Sequence, residues 1–250
     1  MLQGIHGRAA LVTGAGQGIG RAIAHRLAAE GAHVAVNDLD AETAEAVAAE
    51  VGGLAVPFDC SDRSAVQAGF ALARAELGSV ELAVANHAFM TMAPFLQETP
   101  DDWRRTLEVN LEGVFWVVQT AARGMLAQAY GRIVCVASEW GLTGWPEAAA
   151  YTASKGGIVS LVRSSARELG PLGIAVNGIA PGVTATPQLQ VDADAARLSY
   201  DEMAGVYAQD VPLGRIARPE DIASVAAFLC SEPAGALVGQ IISPNGGSLT

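Results

Sequence analysis

Cysteine and histidine are scarce in this chain, and their positions argue against two kinds of site. The 250 residues contain only three cysteines, at positions 60, 135 and 230, and no Cys-x-x-Cys pair. An odd, widely spaced set argues against a disulfide framework and a zinc site, and it suits a reducing compartment. The four histidines, at positions 6, 25, 33 and 87, also lack metal-ligand spacing. We therefore expect no bound metal.

The chain also contains few basic residues and no long apolar run. Fifteen Lys and Arg against 26 Asp and Glu give a formal net charge of −11. That balance argues against a nucleic-acid partner, because a phosphate backbone attracts basic surfaces. No apolar stretch approaches the roughly 18 residues that a membrane helix needs, and the first residues show no signal-peptide pattern. The sequence predicts a cytoplasmic protein without nucleic-acid or membrane partners.

What the chain does contain is a regular alternation of short apolar runs with longer amphipathic stretches. The apolar runs predict seven strands, at residues 9–12, 33–38, 54–58, 82–85, 133–137, 174–179 and 239–243. Strands that alternate with helices fold as a parallel sheet. We predict one α/β domain over residues 1–250: a doubly wound, mostly parallel seven-stranded Rossmann-type sheet with helices on both faces. Residues 184–210 are less regular, which suggests a substrate lid.

Three helix starts are predicted from capping residues. Asp40 is placed to cap a helix over 41–51, and Ser61 to cap one over 62–77. Thr99 followed by Pro100 predicts the start of a long helix.

A glycine-rich turn follows the first predicted strand. It contains Gly14, Gln17, Gly18, Ile19 and Gly20, and a helical pattern begins directly after it. Backbone N–H groups of such a turn, together with the helix N-terminus, favour an anion, so we predict a pyrophosphate cradle. The strict Gly-x-Gly-x-x-Gly spacing is not met.

Acidic residues stand at the ends of the next two predicted strands. Asp38 lies 18 residues after Gly20, where a carboxylate accepts hydrogen bonds from the adenosine ribose and repels the 2′-phosphate of NADP. Leu39 follows it. Asp59 and Cys60 follow the third strand, where an adenine is expected. The predicted cofactor is therefore NAD.

A tyrosine, a lysine and a serine suggest the chemistry. Tyr151 and Lys155 are four residues apart, which places them on one face of a helix. An ammonium so close is expected to lower the tyrosine pKa from about 10. Ser138 closes the fifth predicted strand, so its hydroxyl lies at the ligand-binding edge of the sheet. Asn110 lies inside a helix, and two readings stay open for it: a satisfied core amide, or part of a proton path.

Taken together, these motifs resemble the short-chain dehydrogenase/reductase family over nearly the whole chain. Thr-Gly-x-x-x-Gly-x-Gly is present at 13–20, the acidic residue after strand two is Asp38, and the catalytic tetrad falls on Asn110, Ser138, Tyr151 and Lys155. The resemblance adds cofactor contacts at Asn86, Tyr151, Lys155, Pro181, Gly182, Val183 and Thr186. The family's Asn-Asn-Ala-Gly after strand four is replaced by Ala85-Asn86-His87-Ala88. His87 is then either a packing and hydrogen-bonding residue or an extra acid/base.

The resemblance implies the interconversion of a secondary alcohol and a ketone. Tyr151 exchanges the proton, Lys155 holds the nicotinamide ribose, Ser138 positions the substrate oxygen and Asn110 holds a water. A homotetramer and hydride transfer at the cofactor's B face are implied as well. Because cellular NAD pools are kept oxidised, we expect alcohol oxidation. The alternatives are an NADPH-dependent biosynthetic ketoreductase for carrier-bound ketones, and a catalytically silent NAD-binding sensor.

A largely apolar substrate pocket, suited to a ring or alkyl group, is expected from residues near these motifs. The predicted lining is His87, Met90, Met92, Glu139, Trp140, Trp145 and Val183. Two of these have an ordinary alternative, in which Trp145 lies in the core and Glu139 faces solvent.

Overall fold

Seven short strands form a single sheet in the computed structural model, which describes residues 2–249. They are β1 (Ala9–Val12), β2 (His33–Val36), β3 (Leu54–Ala55), β4 (Val80–Ala85), β5 (Gly131–Val136), β6 (Ile174–Ile179) and β7 (Ile241–Ile242). Their order is β3-β2-β1-β4-β5-β6-β7, and each neighbouring pair is parallel. The strand order reverses between β1 and β4, so the predicted doubly wound fold is confirmed. The predicted domain limits at 1 and 250 lie outside the described residues.

Helices connect the strands and cover both faces of the sheet. They are α1 (Gly18–Ala29), α2 (Ala41–Val51), α3 (Arg63–Leu77), α4 (Pro100–Leu107), α5 (Gly113–Met125), α6 (Trp140–Thr143), α7 (Ala149–Leu169), α8 (Pro187–Ala196), α9 (Tyr200–Ala208) and α10 (Pro219–Cys230). A π-helical turn, Glu108–Glu112, joins α4 to α5. Short 3-10 turns lie at Phe95–Gln97, Leu126–Gln128, Gly170–Leu172 and Glu232–Ala234.

Two apolar cores lie on opposite faces of the sheet. Successive strand residues point to opposite faces, so Leu11 packs with α3, α5 and α7, whereas Ala10 and Val12 pack with α1, α2 and α10. All three side chains are fully buried. Burial on both faces explains why the strands read as continuous apolar runs rather than as alternating ones.

Strand and helix limits differ from the predictions where a backbone donor is missing or a neighbour competes. β3 has two residues instead of the five predicted, because Pro57 has no N–H to donate at this edge. Asn37 lies beyond β2, and its Nδ2 donates to the carbonyls of Val56 and Phe58. The β7 pairing also covers only two residues. All seven predicted strands are therefore present, but β3 and β7 at the edges of the sheet are shorter than predicted.

Two of the three predicted helix caps are confirmed. Asp40 accepts from the N–H groups of Glu42 and Thr43, and Thr99 accepts from the N–H of Asp102. The prediction for Ser61 is wrong. Asp62 caps α3, while Ser61 donates to Asp59 Oδ1 at 2.7 Å, because a carboxylate is the stronger acceptor.

The prediction of an irregular segment over 184–210 is wrong, because this segment contains the helices α8 and α9. Pro187 opens α8, and Ser199 with Glu202 forms a capping box that starts α9. A small apolar cluster of Leu189, Ala193, Met203 and Ile216 holds the two helices together. Movement of this segment as a lid stays a prediction.

The cysteines are free and buried, and burial raises the pKa of each thiol, to about 12 for Cys135 and Cys230. Across residues 2–249, no helix combines the length and the apolar character that a membrane span requires. The same part of the chain contains no group of three or more His, Cys, Asp or Glu side chains placed to hold a metal ion.

Candidate active site

The glycine-rich turn between β1 and α1 forms one wall of a cleft at the carboxyl edge of the sheet. Gly14 and Gly18 have φ of +58° and +54°, which favour glycine. A Cβ at Gly14 would lie 2.7 Å from the Cα of His87. Gln17, the N-cap of α1, makes no side-chain cap bond, which leaves the first N–H groups of the helix available to a ligand. The turn therefore fits the pyrophosphate of a dinucleotide.

Gly20 has a different role from the predicted cofactor contact. It is buried and does not line the cleft; a Cβ there would overlap Gly14 O and lie 2.5 Å from Asn86 Nδ2. Asn86 Nδ2 donates to Thr13 O at 3.2 Å and to Gly14 O at 2.9 Å. Gly20 thus lets Asn86 reach the turn from behind and support it.

Asp38 lies at the next strand end and already has two backbone donors. Its Oδ2 accepts from Gly16 N at 2.9 Å and its Oδ1 from Asp40 N at 3.2 Å. Each oxygen keeps a free lone pair, so the carboxylate fits two ribose hydroxyls. Leu39 beside it is 70% exposed and lines the same cleft.

The far end of the cleft holds Asp59, Cys60 and Arg105, which is not among the predicted site residues. Arg105 Nη2 lies 3.5 Å from Asp59 Oδ2, and its Nη1 donates to Glu108 at 3.1 Å. Burial acts to raise the pKa of Asp59, but hydrogen bonds from Ser61 and the charge of Arg105 outweigh it and hold that pKa below its usual value. Arg105 comes from α4, distant in sequence from the strand ends, so strand-end spacing gave no signal for it.

The cleft has a volume of about 400 Å³ and includes most of the predicted cofactor residues. Those that line it are Gly14, Gln17, Gly18, Ile19, Asp38, Leu39, Asp59, Cys60, Asn86, Tyr151 and Thr186. Lys155, Pro181, Gly182 and Val183 instead line an adjoining cavity of about 200 Å³. Ile19, Asn86, Tyr151 and Thr186 line both.

Ser138, Tyr151 and Lys155 meet where the cleft and the cavity join. Ser138 follows β5, and its Oγ accepts from Trp140 N at 3.2 Å and is hydrogen-bonded to the Tyr151 side chain. Lys155, 1% exposed, lies one turn after Tyr151 on α7. Its Nζ donates to Val136 O at 2.9 Å and is 5.5 Å from the centre of the Tyr151 ring. The expected grouping of these three side chains is present.

The sequence predicts a lowered pKa for Tyr151, but the structure raises this pKa. Burial raises the pKa of Tyr151 to about 12, and the hydrogen bond with Ser138 offsets only part of that rise. Burial also lowers the pKa of Lys155 to about 8. The ammonium donates to a backbone carbonyl and not to the phenol, so desolvation outweighs charge attraction. Tyr151 is therefore a protonated acid at neutral pH, ready to donate to an oxygen.

Asn110 lies in the π-helical turn and is completely buried. Its Oδ1 accepts from Phe89 N at 2.6 Å, and its Nδ2 donates to Phe89 O at 2.8 Å and to Ser154 Oγ at 3.1 Å. Ser154 in turn donates to Tyr151 O at 2.7 Å. The amide is fully satisfied, as one of its two readings required, and a role in a proton path stays a prediction.

Of the seven predicted pocket residues, four line the 200 Å³ cavity: Met90, Glu139, Trp140 and Val183. The other three do not. Met92 is 44% exposed, and Trp145 is 43% exposed, stacked on Trp140 at 4.6 Å from outside the cavity. His87 is buried on the cleft side, where Thr13 and Val109 bond its ring.

Glu139 is buried, which rules out its solvent-facing alternative. One carboxylate oxygen accepts from Ser248 Oγ at 2.5 Å, so the segment after β7 closes this wall. The cavity is also lined by four residues of α8 and α9 that are not among the predicted site residues: Gln188, Leu189, Asp192 and Tyr207. Their helix signals were the proline at 187 and the capping box at 199–202.

An anion cradle, a strand-end carboxylate and a Ser-Tyr-Lys group at one sheet edge are the features of a dinucleotide-dependent oxidoreductase. Residues 14–248 match the family described as Enoyl-(Acyl carrier protein) reductase. A short-chain dehydrogenase/reductase of Armillaria gallica is 42% identical over 96% of this chain and 95% of its own length. The 3-oxoacyl-(acyl-carrier-protein) reductase FabG of Escherichia coli strain K12 is 36% identical over 96% of this chain and 97% of its own.

Among solved structures, a levodione reductase superimposes with a TM-score of 0.93 and 32% identity, covering 97% of both chains. The chain belongs to the short-chain dehydrogenase/reductase family. It is thus an oxidoreductase that uses a nicotinamide cofactor and acts on a small molecule.

Proposed function

We propose that the protein is an NAD-dependent dehydrogenase that interconverts a secondary alcohol and a ketone. The observation that carries this proposal is the position of Tyr151. Its hydroxyl is hydrogen-bonded to Ser138, and its ring lines both the cofactor cleft and the apolar cavity. A proton donor at that junction serves a carbonyl oxygen whose carbon faces the cofactor.

The nicotinamide dinucleotide supplies the hydride acceptor or donor, and the chain's own groups do the rest. Ser138 holds the substrate oxygen. Tyr151 gives its proton to that oxygen during reduction and takes it back during oxidation. Lys155 keeps a buried cation beside the phenol, which stabilises the phenolate that forms. Asn110 holds the π-helical turn and anchors the water through which the proton reaches solvent. The trio of Gly182, Val183 and Thr186 contributes to cofactor binding from the cavity side.

NAD is preferred over NADP because of Asp38. Both of its oxygens are fixed by backbone donors, and the gap between it and the glycine turn is narrow: a Cβ at Gly16 would lie 2.8 Å from Asp38 Oδ2. A 2′-phosphate would face this carboxylate at close range. Arg105, which lines the cleft, is paired with Asp59 and Glu108 and does not offset that repulsion.

The substrate is expected to carry a ring or an alkyl group. Met90, Trp140, Val183 and Leu189 give the cavity a mainly apolar wall, and Trp140 meets the Tyr151 ring edge-on at 6.0 Å. We propose that α8 and α9 act as the lid over this cavity. Tyr207 donates to Asp192 at 3.3 Å and so fastens the two helices to each other. Alcohol oxidation is the proposed direction.

A biosynthetic ketoreductase for a carrier-bound ketone is the second candidate. It is favoured by the 36% identity to FabG of Escherichia coli and by the matching family's description. It requires NADPH and a basic surface for an acidic carrier. Asp38 and the net charge of −11 count against it.

One screen tests both candidates. Purified protein is given secondary alcohols with NAD⁺ or NADP⁺, and ketones, including a thioester-linked 3-ketone, with NADH or NADPH. Turnover is followed by the absorbance of the reduced nicotinamide. We expect activity on ring-bearing or alkyl secondary alcohols with NAD⁺. Activity confined to the thioester with NADPH would establish the second candidate, and no turnover with any pair would favour a silent sensor.

We also propose a homotetramer working in the cytoplasm on a small molecule, with no nucleic-acid or membrane partner. Family resemblance supports the tetramer, as do exposed aromatic side chains on α4 and α5: Trp103 is 38% exposed and Phe115 is 37% exposed. The buried free thiols support a reducing compartment. Light scattering of the purified protein tests the tetramer.

A further inference from the structure

His87 makes two ring contacts that join separate parts of the site. Its Nδ1 lies 2.7 Å from Thr13 Oγ1, at the end of β1 where the glycine turn begins. Its Nε2 lies 3.2 Å from Val109 O, in the π-helical turn beside Asn110. The ring therefore bridges the nucleotide loop and the helix that carries Asn110.

The bonding partners fix the tautomer of this ring. A carbonyl oxygen only accepts, so Nε2 must carry the proton and donate it to Val109 O. Thr13 Oγ1 accepts from Asn86 N at 3.0 Å, which leaves its own proton to donate. The nearest acceptor for that proton is His87 Nδ1, because Val84 O is farther, at 3.4 Å. Nδ1 is then unprotonated, and the imidazole is neutral.

The π-helical turn needs outside support, since its i→i+5 bonds hold the backbone less well than α-helical bonds. Residues 87–89 provide three hydrogen bonds to it. One is His87 Nε2 to Val109 O at 3.2 Å, and the others are the paired bonds between Phe89 and Asn110, at 2.6 and 2.8 Å. Gly113 leaves room for the ring, because a Cβ there would lie 2.9 Å from His87 Nε2.

We propose that His87 is a positioning residue: a neutral imidazole, protonated on Nε2, that ties the nucleotide loop at Thr13 to the π-helical turn carrying Asn110. The consequence for catalysis, which rests on the function proposed above, is that cofactor binding and the proton path share one support. His87 does not touch the reacting atoms, and it is not an acid/base.

The first test uses the native chain labelled with ¹⁵N-histidine. NMR of the imidazole nitrogens should show Nδ1 unprotonated and Nε2 protonated, without change from about pH 8 to about pH 5, because the ring is buried and bonded on both sides. Exposed His33 serves as the internal reference in the same spectra. Protonation of His87 Nδ1 within this range would overturn the proposal.

The second test separates the two bonds. His87→Asn places an acceptor near Nδ1 and loses the donor to Val109; His87→Gln keeps a donor near Nε2 and loses the acceptor for Thr13. We expect His87→Asn to lower kcat on the order of 10-fold, with cofactor KM nearly unchanged and faster amide exchange over 108–113. His87→Gln should chiefly raise cofactor KM. His33→Asn is the matched control, with no expected effect.

Identical behaviour of the Asn and Gln variants, or wild-type amide exchange over 108–113 in His87→Asn, would contradict the positioning role. Loss of one limb of the pH–rate profile in His87→Asn would do so too, since it would make His87 an acid/base. Exchange and NMR need no turnover, so they test this role even if the dehydrogenase proposal fails. That separate failure would be seen as undiminished turnover in Tyr151→Phe.

Discussion

The nucleotide half and the substrate half of the site are built differently. In the nucleotide half, Thr13, Asp38, Asn86 and His87 are each held by hydrogen bonds to the backbone or to one another. In the substrate half, the cavity wall is largely apolar. The small apolar cluster that joins α8 and α9 is separate from the two main cores. Directional bonds hold a polar ligand such as a dinucleotide in one orientation, whereas an apolar wall selects chiefly by shape.

Tyr151 lines both halves, and replacing it should give the largest effect. Tyr151→Phe keeps the ring but loses the proton, so we expect turnover to fall by at least about 10²-fold while NADH binding barely changes. Steady-state kinetics and NADH titration measure the two quantities. Tyr130→Phe is the control, because its buried hydroxyl has no hydrogen-bond partner and lies before β5, away from the site. Near-normal turnover in Tyr151→Phe would contradict the mechanism.

Acid should destabilise the nucleotide half first. Burial and then the charge of Lys155 lower the pKa of His87 to about 4 from its usual 6.5, against the opposing effects of the Val109 bond and Asp59. The unfolded chain therefore binds this proton before the folded one does. The contribution to stability is full above about pH 6.5 and is lost as pH falls toward about 4, with a slope near 1.4 kcal/mol per pH unit at most.

Urea unfolding at several pH values measures this slope in the native chain and in His87→Asn. We expect the variant to have a lower free energy of unfolding at neutral pH. Between about pH 6.5 and 4, that free energy should depend less on pH than in the native chain. Equal slopes for the two proteins would mean that other groups cause the acid sensitivity.

Asp38→Ser should change the cofactor preference of the nucleotide half and leave substrate binding unchanged. The variant loses charge-assisted bonds worth about 1.5–3 kcal/mol and the repulsion of a 2′-phosphate. We expect the preference for NAD over NADP, as the ratio of kcat/KM values, to fall by about 10- to 100-fold. Asp40→Ser removes the same charge two residues away and keeps a helix cap, so it should preserve the preference. Equal efficiency with both cofactors in the native chain would overturn the role of Asp38.

Trp140→Ala should weaken substrate binding and leave cofactor binding unchanged, the opposite of Asp38→Ser. Its effect should also be the smallest. It removes part of the cavity wall, so KM for the alcohol should rise about 10-fold, as expected for one lost apolar contact, with cofactor KM unchanged. Trp145→Ala removes only the outer ring of the stacked pair and should raise substrate KM less. If Trp145→Ala has the larger effect, the substrate lies outside the 200 Å³ cavity.

Local signals in the sequence were enough for much of the fold and the nucleotide half. Four-residue spacing placed Tyr151 near Lys155, apolar runs gave the sheet, and Asp40 and Thr99 marked helix starts. These features depend on neighbours in the chain. The pKa of Tyr151 was mispredicted because burial depends on distant segments. Met92 and Trp145 were misplaced for the same reason: an aromatic or methionine near a motif does not reveal which side of a loop it faces.

The π-helical turn at Glu108–Glu112 has a consequence for how the chain tolerates length changes. Such a turn holds one residue more than the α-helix it interrupts, and each residue of an α-helix turns the chain by about 100°. Deleting exposed Glu108 or Glu112 would allow α4 and α5 to merge into one regular helix. Asn110 and the carbonyl before it would then rotate relative to the helix on one side of the deletion. We expect a deletion of this kind to lower activity while leaving every residue of the Ser-Tyr-Lys group in the sequence.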